Sequence, residues 1–284
     1  MDCFFVNDLH IDKHLPNLMK GQKHSASYHK WMEQNLLPAD VLCIAGDIAD
    51  NSLVFIDFLA ACRGVYKDVI FIYGNHDIGI YDSEYDSVFM KVEKQNKWVE
   101  GFKQLSTSTH QFRTHIHKLD GNIINLEERR FVGCMGSADW SYSLANFDTS
   151  IAEFNDLWSK GHDCEHWKNW WSSDPIEISV DEKRRLEESI DQVDPHVVIT
   201  HFAPLGVPVS EQFKDNKLTG MFFWDMEKII NKLPKGCIWH YGHTHAKFKG
   251  ERNGILFLNN AIGYPGENTN SLGNFTKQDF LINI

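Results

Sequence analysis

Short apolar runs that end in polar, chemistry-bearing residues recur along this chain. Cys3-Phe-Phe-Val6 leads into Asn7-Asp8-Leu9-His10, and Asp40-Val-Leu-Cys-Ile-Ala45 leads into Gly46-Asp47-Ile48-Ala49-Asp50. Asp68-Val-Ile-Phe-Ile-Tyr73 leads into Gly74-Asn75-His76-Asp77. Runs this short, rich in β-branched and aromatic side chains, predict buried strands. Between them, apolar residues at helical spacing predict helices over 24–37 and 51–62. The order strand, helix, strand, helix, strand predicts a parallel sheet with right-handed crossovers. In such sheets ligands sit outside the carboxyl ends of the strands, where all three polar clusters fall.

The rest of the chain is read the same way. Residues 78–111 start with the polar, aromatic Tyr81-Asp-Ser-Glu-Tyr-Asp86 and continue as a helix to about 105. Thr114-His-Ile-His-Lys118 alternates like a half-exposed strand; no acid joins His115 and His117, so both are expected to be structural. A strand pair is expected at 123–126 and 131–135. Residues 136–171 hold Trp140, Trp158, Trp167, Trp170 and Trp171, five of the nine tryptophans, expected to pack helices onto the domain; the alternative is an aromatic wall over the substrate. His162-Asp-Cys-Glu-His166 reads as surface helix rather than a second metal site. Ser179-Val-Asp-Glu182 has capping-box spacing and predicts a helix to about 193. A strand over 196–200 ends at His201, and Pro204 forces a loop. A helix over 221–233 follows, then a strand over 237–241 ending in Gly242-His243-Thr244-His245, and strands at 255–258 and 280–283. With no repeat, low-complexity tract or linker, one domain over 1–284 is expected, with 78–111 and 136–175 as candidate cap segments.

Composition narrows the classes. The chain carries 39 acidic and 28 basic residues, a formal net charge of -11, which disfavours non-specific nucleic-acid binding. No apolar run is long enough to cross a membrane and no leader pattern is present, so a cytoplasmic location is expected. The six cysteines form no C-x-x-C pair and are expected to be reduced, mostly buried thiols.

Five strand ends thus carry ligand types. Asp8 and His10, two apart on an extended backbone, share a side and reach one ion, although Asn7-Asp8 also reads as a turn. Imidazole and carboxylate with an amide oxygen suit Mn, Fe or Zn, and only a carboxylate bridges two cations readily, which makes Asp47 or Asp8 the shared ligand. The ordered set D-x-H, G-D, G-N-H-D, H and G-H-x-H, at Asp8/His10, Asp47, Asn75/His76/Asp77, His201 and His243/His245, resembles the calcineurin-like metallophosphoesterase superfamily.

The resemblance implies an α/β fold with a two-sheet β-sandwich core flanked by helices. It also implies two metal ions, divalent or of mixed valence. By position, Asp8, His10, Asp47 and His245 would hold the first, and Asp47, Asn75, His201 and His243 the second, with Asp47 bridging. Two such ions acidify a bridging water and neutralise charge during in-line displacement at phosphorus. His76 would protonate the leaving oxygen, oriented by Asp77. The expected substrate is a small-molecule phosphate ester, attacked by a phosphodiesterase or phosphatase. A nuclease, a protein phosphatase or a non-catalytic scaffold are the alternatives; no arginine pair of the phosphoryl-clamping kind accompanies the motifs.

Overall fold

The computed structural model describes residues 1–17, 25–79, 88–108, 114–160 and 175–284. Its strands, in chain order, are β1 (Asp2–Val6), β2 (Val41–Ala45), β3 (Asp68–Ile72), β4 (His115–Lys118), β5 (Ile123–Leu126), β6 (Arg129–Cys134), β7 (Val197–Thr200), β8 (Ala203–Pro204), β9 (Phe223–Trp224), β10 (Ile238–His240), β11 (Phe248–Arg252), β12 (Ile255–Asn259) and β13 (Leu281–Asn283). Two mixed sheets contain most of them. The first has the order β13-β1-β2-β3-β4, parallel except for antiparallel β13. The second has the order β11-β12-β10-β7-β6-β5, with antiparallel β11 and β5 at its edges.

The central parallel strands are buried nearly throughout: β2 and β7 are buried at every residue, and β1 and β3 at all but their first. Each such side chain taken from water contributes about 1.5–3 kcal/mol. The two sheets face each other, β1 against β12 and β2 against β7. Helix Val88–Ser108 packs on β4, and helix Pro175–Gln192 on β6. Asn51 caps helix Ser52–Ala61, its side-chain oxygen accepting from the Leu53 and Val54 amides. This is the helix-flanked two-sheet core that the resemblance implies.

Two expectations are corrected. Residues 221–233 are not one helix: a 3-10 turn ends at Phe222, Phe223–Trp224 pairs with Ala203–Pro204 as a small ribbon, and only Glu227–Ile230 is helical. An apolar pair that finds a strand partner leaves too little chain for a longer helix. The capping-box spacing at Ser179 lies inside a helix that already starts at Pro175, a residue favoured in the first helical turn. Glu182 instead accepts the Ser137 amide at 2.6 Å. The five cysteines among the described residues are free and buried, and no described helix is long and apolar enough to cross a membrane. Residues 161–174, with the His162–His166 cluster and three of the tryptophans, lie outside the described residues, as do 80–87 in the first candidate cap.

Candidate metal centre

Every sequence-predicted ligand arrives at the same edge of the two sheets. Asp8 and His10 follow β1, Asp47 follows β2, Asn75 opens a short helix after β3, His201 follows β7, and His243 and His245 follow β10. Ligand atoms of Asp8, His10, Asp47 and His245 lie within 4.8 Å of one another, and so do those of Asp47, His201 and His243. Asp47 belongs to both groups. Asn75 joins the second, its Oδ1 lying 2.9 Å from His201 Nε2.

The backbone achieves this by turning, not by extension. Asp8, His10, Asp47, His243 and His245 are five of the eight non-glycine residues at positive φ among the described residues. Asp8 and His10 therefore converge through left-handed turns rather than by sharing one face of a strand. Non-glycine residues rarely adopt this region, and such strain collects at functional sites. Gly46 and Gly74 allow the loops to touch: a Cβ on Gly46 would meet the Gly74 amide and His201 Nδ1, both at 2.7 Å, and one on Gly74 would strike the Asp47 carboxylate.

The hydrogen bonding leaves ligand atoms without partners. Asp47 Oδ1 accepts the His76 amide at 2.8 Å. Asp47 Oδ2 is buried with no hydrogen-bond partner; it lies 3.3 Å from His201 Nε2 and 3.9 Å from His10 Nε2. A buried carboxylate oxygen left bare is costly. His201 faces acceptors on both nitrogens, the Ala45 carbonyl at 2.8 Å and Asn75 Oδ1 at 2.9 Å. His10 Nε2 meets His245 Nε2 at 3.1 Å. Cations would compensate the bare Asp47 oxygen and separate the facing His10 and His245 nitrogens, and a donor set of imidazole, carboxylate and amide oxygen fits Mn, Fe or Zn.

The electrostatics agree. Burial opposes ionisation of Asp8, but His245 and His201 hold it below its ordinary value. Burial likewise opposes ionisation of Asp47, which His201, His76 and His10 hold low. Burial disfavours the charged form of His201, yet Asp47 and Asp8 push it up to about 9. His245 is similarly pushed up to about 10 against its burial, by Asp8 and Glu267. His10 falls to about 3, mainly through burial. Protons on His201 and His245 stand where ions would compensate Asp8 and Asp47; ligation requires their loss.

His76 meets a different carboxylate from the one expected. Its Nδ1 lies 2.7 Å from Asp50 Oδ1, not against Asp77. The expected orienting role of Asp77 is thereby corrected. Asp77 Oδ1 accepts the Ile48 and Ala49 amides at 2.8 and 3.0 Å, and Oδ2 accepts the Gly74 amide at 2.8 Å. Asp77 braces the loops after β2 and β3. Asp50 is buried, and its second oxygen binds Lys13 Nζ at 2.6 Å. Burial opposes the charge of His76, but Asp47 and Asp50 raise its proton affinity.

Two further residues were assigned no role from the sequence. The Tyr264 ring stacks on His10 with centroids 4.3 Å apart, and its hydroxyl lies 3.3 Å from His76 Nε2. Glu267 Oε2 accepts the Tyr264 amide and lies against His245 Nδ1, each at 2.8 Å. Gly263-Tyr-Pro-Gly266 has the composition of a turn, and Glu267 left no local signal. A cavity of about 270 Å³ opens beside the centre, reaching Asp47, Asn75, His76, His243 and His245. Its remaining described walls come from residues 208–223, from Thr244 and Ala246, and from Tyr264 and Glu267.

The fold and this site are those of a phosphoester-hydrolase core. The chain belongs to the calcineurin-like phosphoesterase family, whose pattern matches residues 1–247. It is 25% identical to an uncharacterized protein, L509, of Acanthamoeba polyphaga mimivirus, over 94% of this chain and 92% of that one. Among solved structures it resembles the phosphopantetheinyl hydrolase of Mycobacterium tuberculosis, with a TM-score of 0.65 and 17% identity over 93% of this chain and 89% of that one. A putative 5'-nucleotidase of Staphylococcus aureus gives a TM-score of 0.43 and 12% identity, over 93% of this chain and 48% of that one.

Proposed function

We propose that this chain is a dinuclear metal-dependent phosphoesterase, acting as a phosphodiesterase or phosphatase on a small-molecule ester. The observation that carries the reading is Asp47, shared by two clusters of ligand types and holding a buried oxygen with no hydrogen-bond partner. Asp8, His10, Asp47 and His245 would hold one ion, and Asp47, Asn75, His201 and His243 the other, each Mn, Fe or Zn. Bound there, the ions supply positive charge for the phosphoryl oxygens and acidify water for attack on phosphorus.

The protein's own residues do the rest. The His76 amide fixes one oxygen of Asp47 so that the other stays directed between the clusters. Asp50 accepts from Nδ1 of His76 and keeps a proton available on Nε2, which faces Tyr264 at the cavity. An imidazolium so held protonates the departing oxygen, the usual task of a general acid. Glu267 fixes the ring of His245 from behind, as carboxylates commonly do for metal-binding histidines. Elemental analysis with a nitrophenyl phosphodiester assay in Mn²⁺ tests the reading. Wild type should hold two ions and turn over, and Asp47→Asn should lose both metal and turnover. Two ions retained by Asp47→Asn, or two ions without turnover in wild type, would contradict it.

A further inference from the structure

Resting on the phosphoesterase reading, we propose that the cavity beside the centre is a subsite for a flat aromatic group of the ester, one that carries no second anionic substituent. The cavity has two parts. One is the polar cluster already described. The other is a wall built from Pro208, Val209, Phe213, Met221, Phe222 and Tyr264. Phe213 and Tyr264 belong to the small set of exposed large hydrophobic residues, at 46% and 37% exposure, and both line this one cavity. Apolar rings left in water around a concave site mark a place where a ligand covers them.

The rings bracket the position of the phosphoryl group. Phe222 stacks on His243 with centroids 4.6 Å apart, on the side of the second cluster. Tyr264 stacks on His10, on the side of the first. Phe213 stands at the rim on a tied segment: its amide donates to the Ser210 carbonyl at 2.9 Å, and its carbonyl accepts from the Thr219 hydroxyl at 2.7 Å. Nearby hydroxyls make contacts within the protein. Ser210 pairs with Ser271 at 2.7 Å, and Thr244 accepts from Asn259 at 3.0 Å. The wall therefore offers an apolar surface, and its flat faces match a ring better than a branched chain.

Charge sets the second half of the specificity. No lysine or arginine is among the described residues lining the cavity, whereas Asp47 and Glu267 are. Lys214, beside Phe213, is committed to Glu211 at 2.5 Å. A second phosphate or a carboxylate on the organic group would find no cationic side chain among these residues to pair with. Polyphosphate and phosphoprotein substrates are thus the wrong chemistry for this annex, and a singly phosphorylated aromatic ester is the right one.

Calorimetric binding to the Mn²⁺-loaded protein tests this with two inert monoanions, methylphenylphosphinate and dimethylphosphinate, which hold no ester to cleave. Burying the ring should make the phenyl compound bind roughly 10- to 100-fold more tightly. Phe213→Ala and Phe222→Ala should each reduce that ratio severalfold, whereas Val180→Ala, exposed on another helix, should not. A para-carboxylate on the ring should cancel most of the gain. Equal affinity for both probes overturns the aromatic subsite and leaves the phosphoesterase reading intact. A ratio that survives both phenylalanine variants also overturns it. Failure of both probes to bind overturns both readings.

Discussion

Asp50→Asn should lower kcat on a phosphate ester with a poor leaving group by roughly 5- to 30-fold while leaving metal content unchanged. The side chain is 4% exposed, and the amide has the same shape. Its oxygen still accepts from His76 Nδ1, at 2.7 Å in the native protein; the charge is lost, and with it the contact of the second oxygen with Lys13 Nζ. Hydrogen bonds to charged groups contribute about 1.5–3 kcal/mol against about 0.5–1.5 for neutral ones, so the loss is about 1–2 kcal/mol. At about 1.36 kcal/mol per tenfold, that gives the stated range. The pH profile carries the sharper signal. Burial alone would lower the proton affinity of His76, and Asp47 and Asp50 together raise it. Without the Asp50 charge the acid form is lost at lower pH, so the alkaline limb of kcat moves downward in pH. Asp77→Asn is the control, because the sequence assigned the orienting role to Asp77. It removes an acceptor for one of three backbone amides, so it should cost about 1–3 kcal/mol of stability and leave the alkaline limb in place. His76→Ala sets the floor, about 10²–10⁴-fold below wild type with both ions retained. A wild-type limb in Asp50→Asn, or a shifted limb in Asp77→Asn, would refute the reasoning.

Glu267→Gln removes the charge behind His245, 2.8 Å from its Nδ1, and should weaken metal binding about 10- to 100-fold in chelator competition; unchanged affinity would make the contact incidental. Glu182→Gln should alter the pH dependence of stability. Burial raises this carboxyl from its ordinary 4.5 to about 7. The folded protein therefore keeps a proton that the unfolded chain releases, so this stability is full below pH 4.5 and is lost as pH rises through 7. The swing is about 3 kcal/mol. Urea unfolding with metal chelated should show a flatter profile over that window in the variant, and an unaltered slope would exclude Glu182 as its source.

The strand ends were legible because burial and chemistry conflict there. Val41–Ala45 and Asp68–Ile72 are buried strands, and a polar group placed straight after such a run needs a partner. The expected partners all arrive at one edge. What stayed hidden depended on rotation and distance. Asn75–Ile78 forms a helical turn, and adjacent residues on a helix project about 100° apart. His76 therefore faces the cavity while Asp77 faces back to the loop after β2. Chain adjacency pointed to Asp77; the residue that reaches the imidazole is Asp50, 26 positions away. Tyr264 is 188 positions from His76, beyond any local pattern. The mixed apolar and charged stretch 221–233 has helical spacing, but its Phe223–Trp224 pair is taken up by β8, a contact made across 20 residues.

The left-handed turns explain why the centre needs both sheets. Each non-glycine residue held in that region costs about 1–2 kcal/mol, and five of the expected ligands sit there. Local sequence does not hold them; bonds between loops do. The amides of Leu9 and His10 both donate to the Asp47 carbonyl, at 2.8 and 3.1 Å, and the Asp8 amide donates to the Gly46 carbonyl at 3.1 Å. Across the interface, the His243 amide donates to the Asp8 carboxylate at 3.1 Å and the Gly263 amide to the Asp8 carbonyl at 2.9 Å. Asp8 is thus fixed by loops from both sheets before any ion is considered. The ligand positions are set by sheet packing, and a substitution that shifts one sheet against the other disturbs both clusters through Asp47 and Asp8 together.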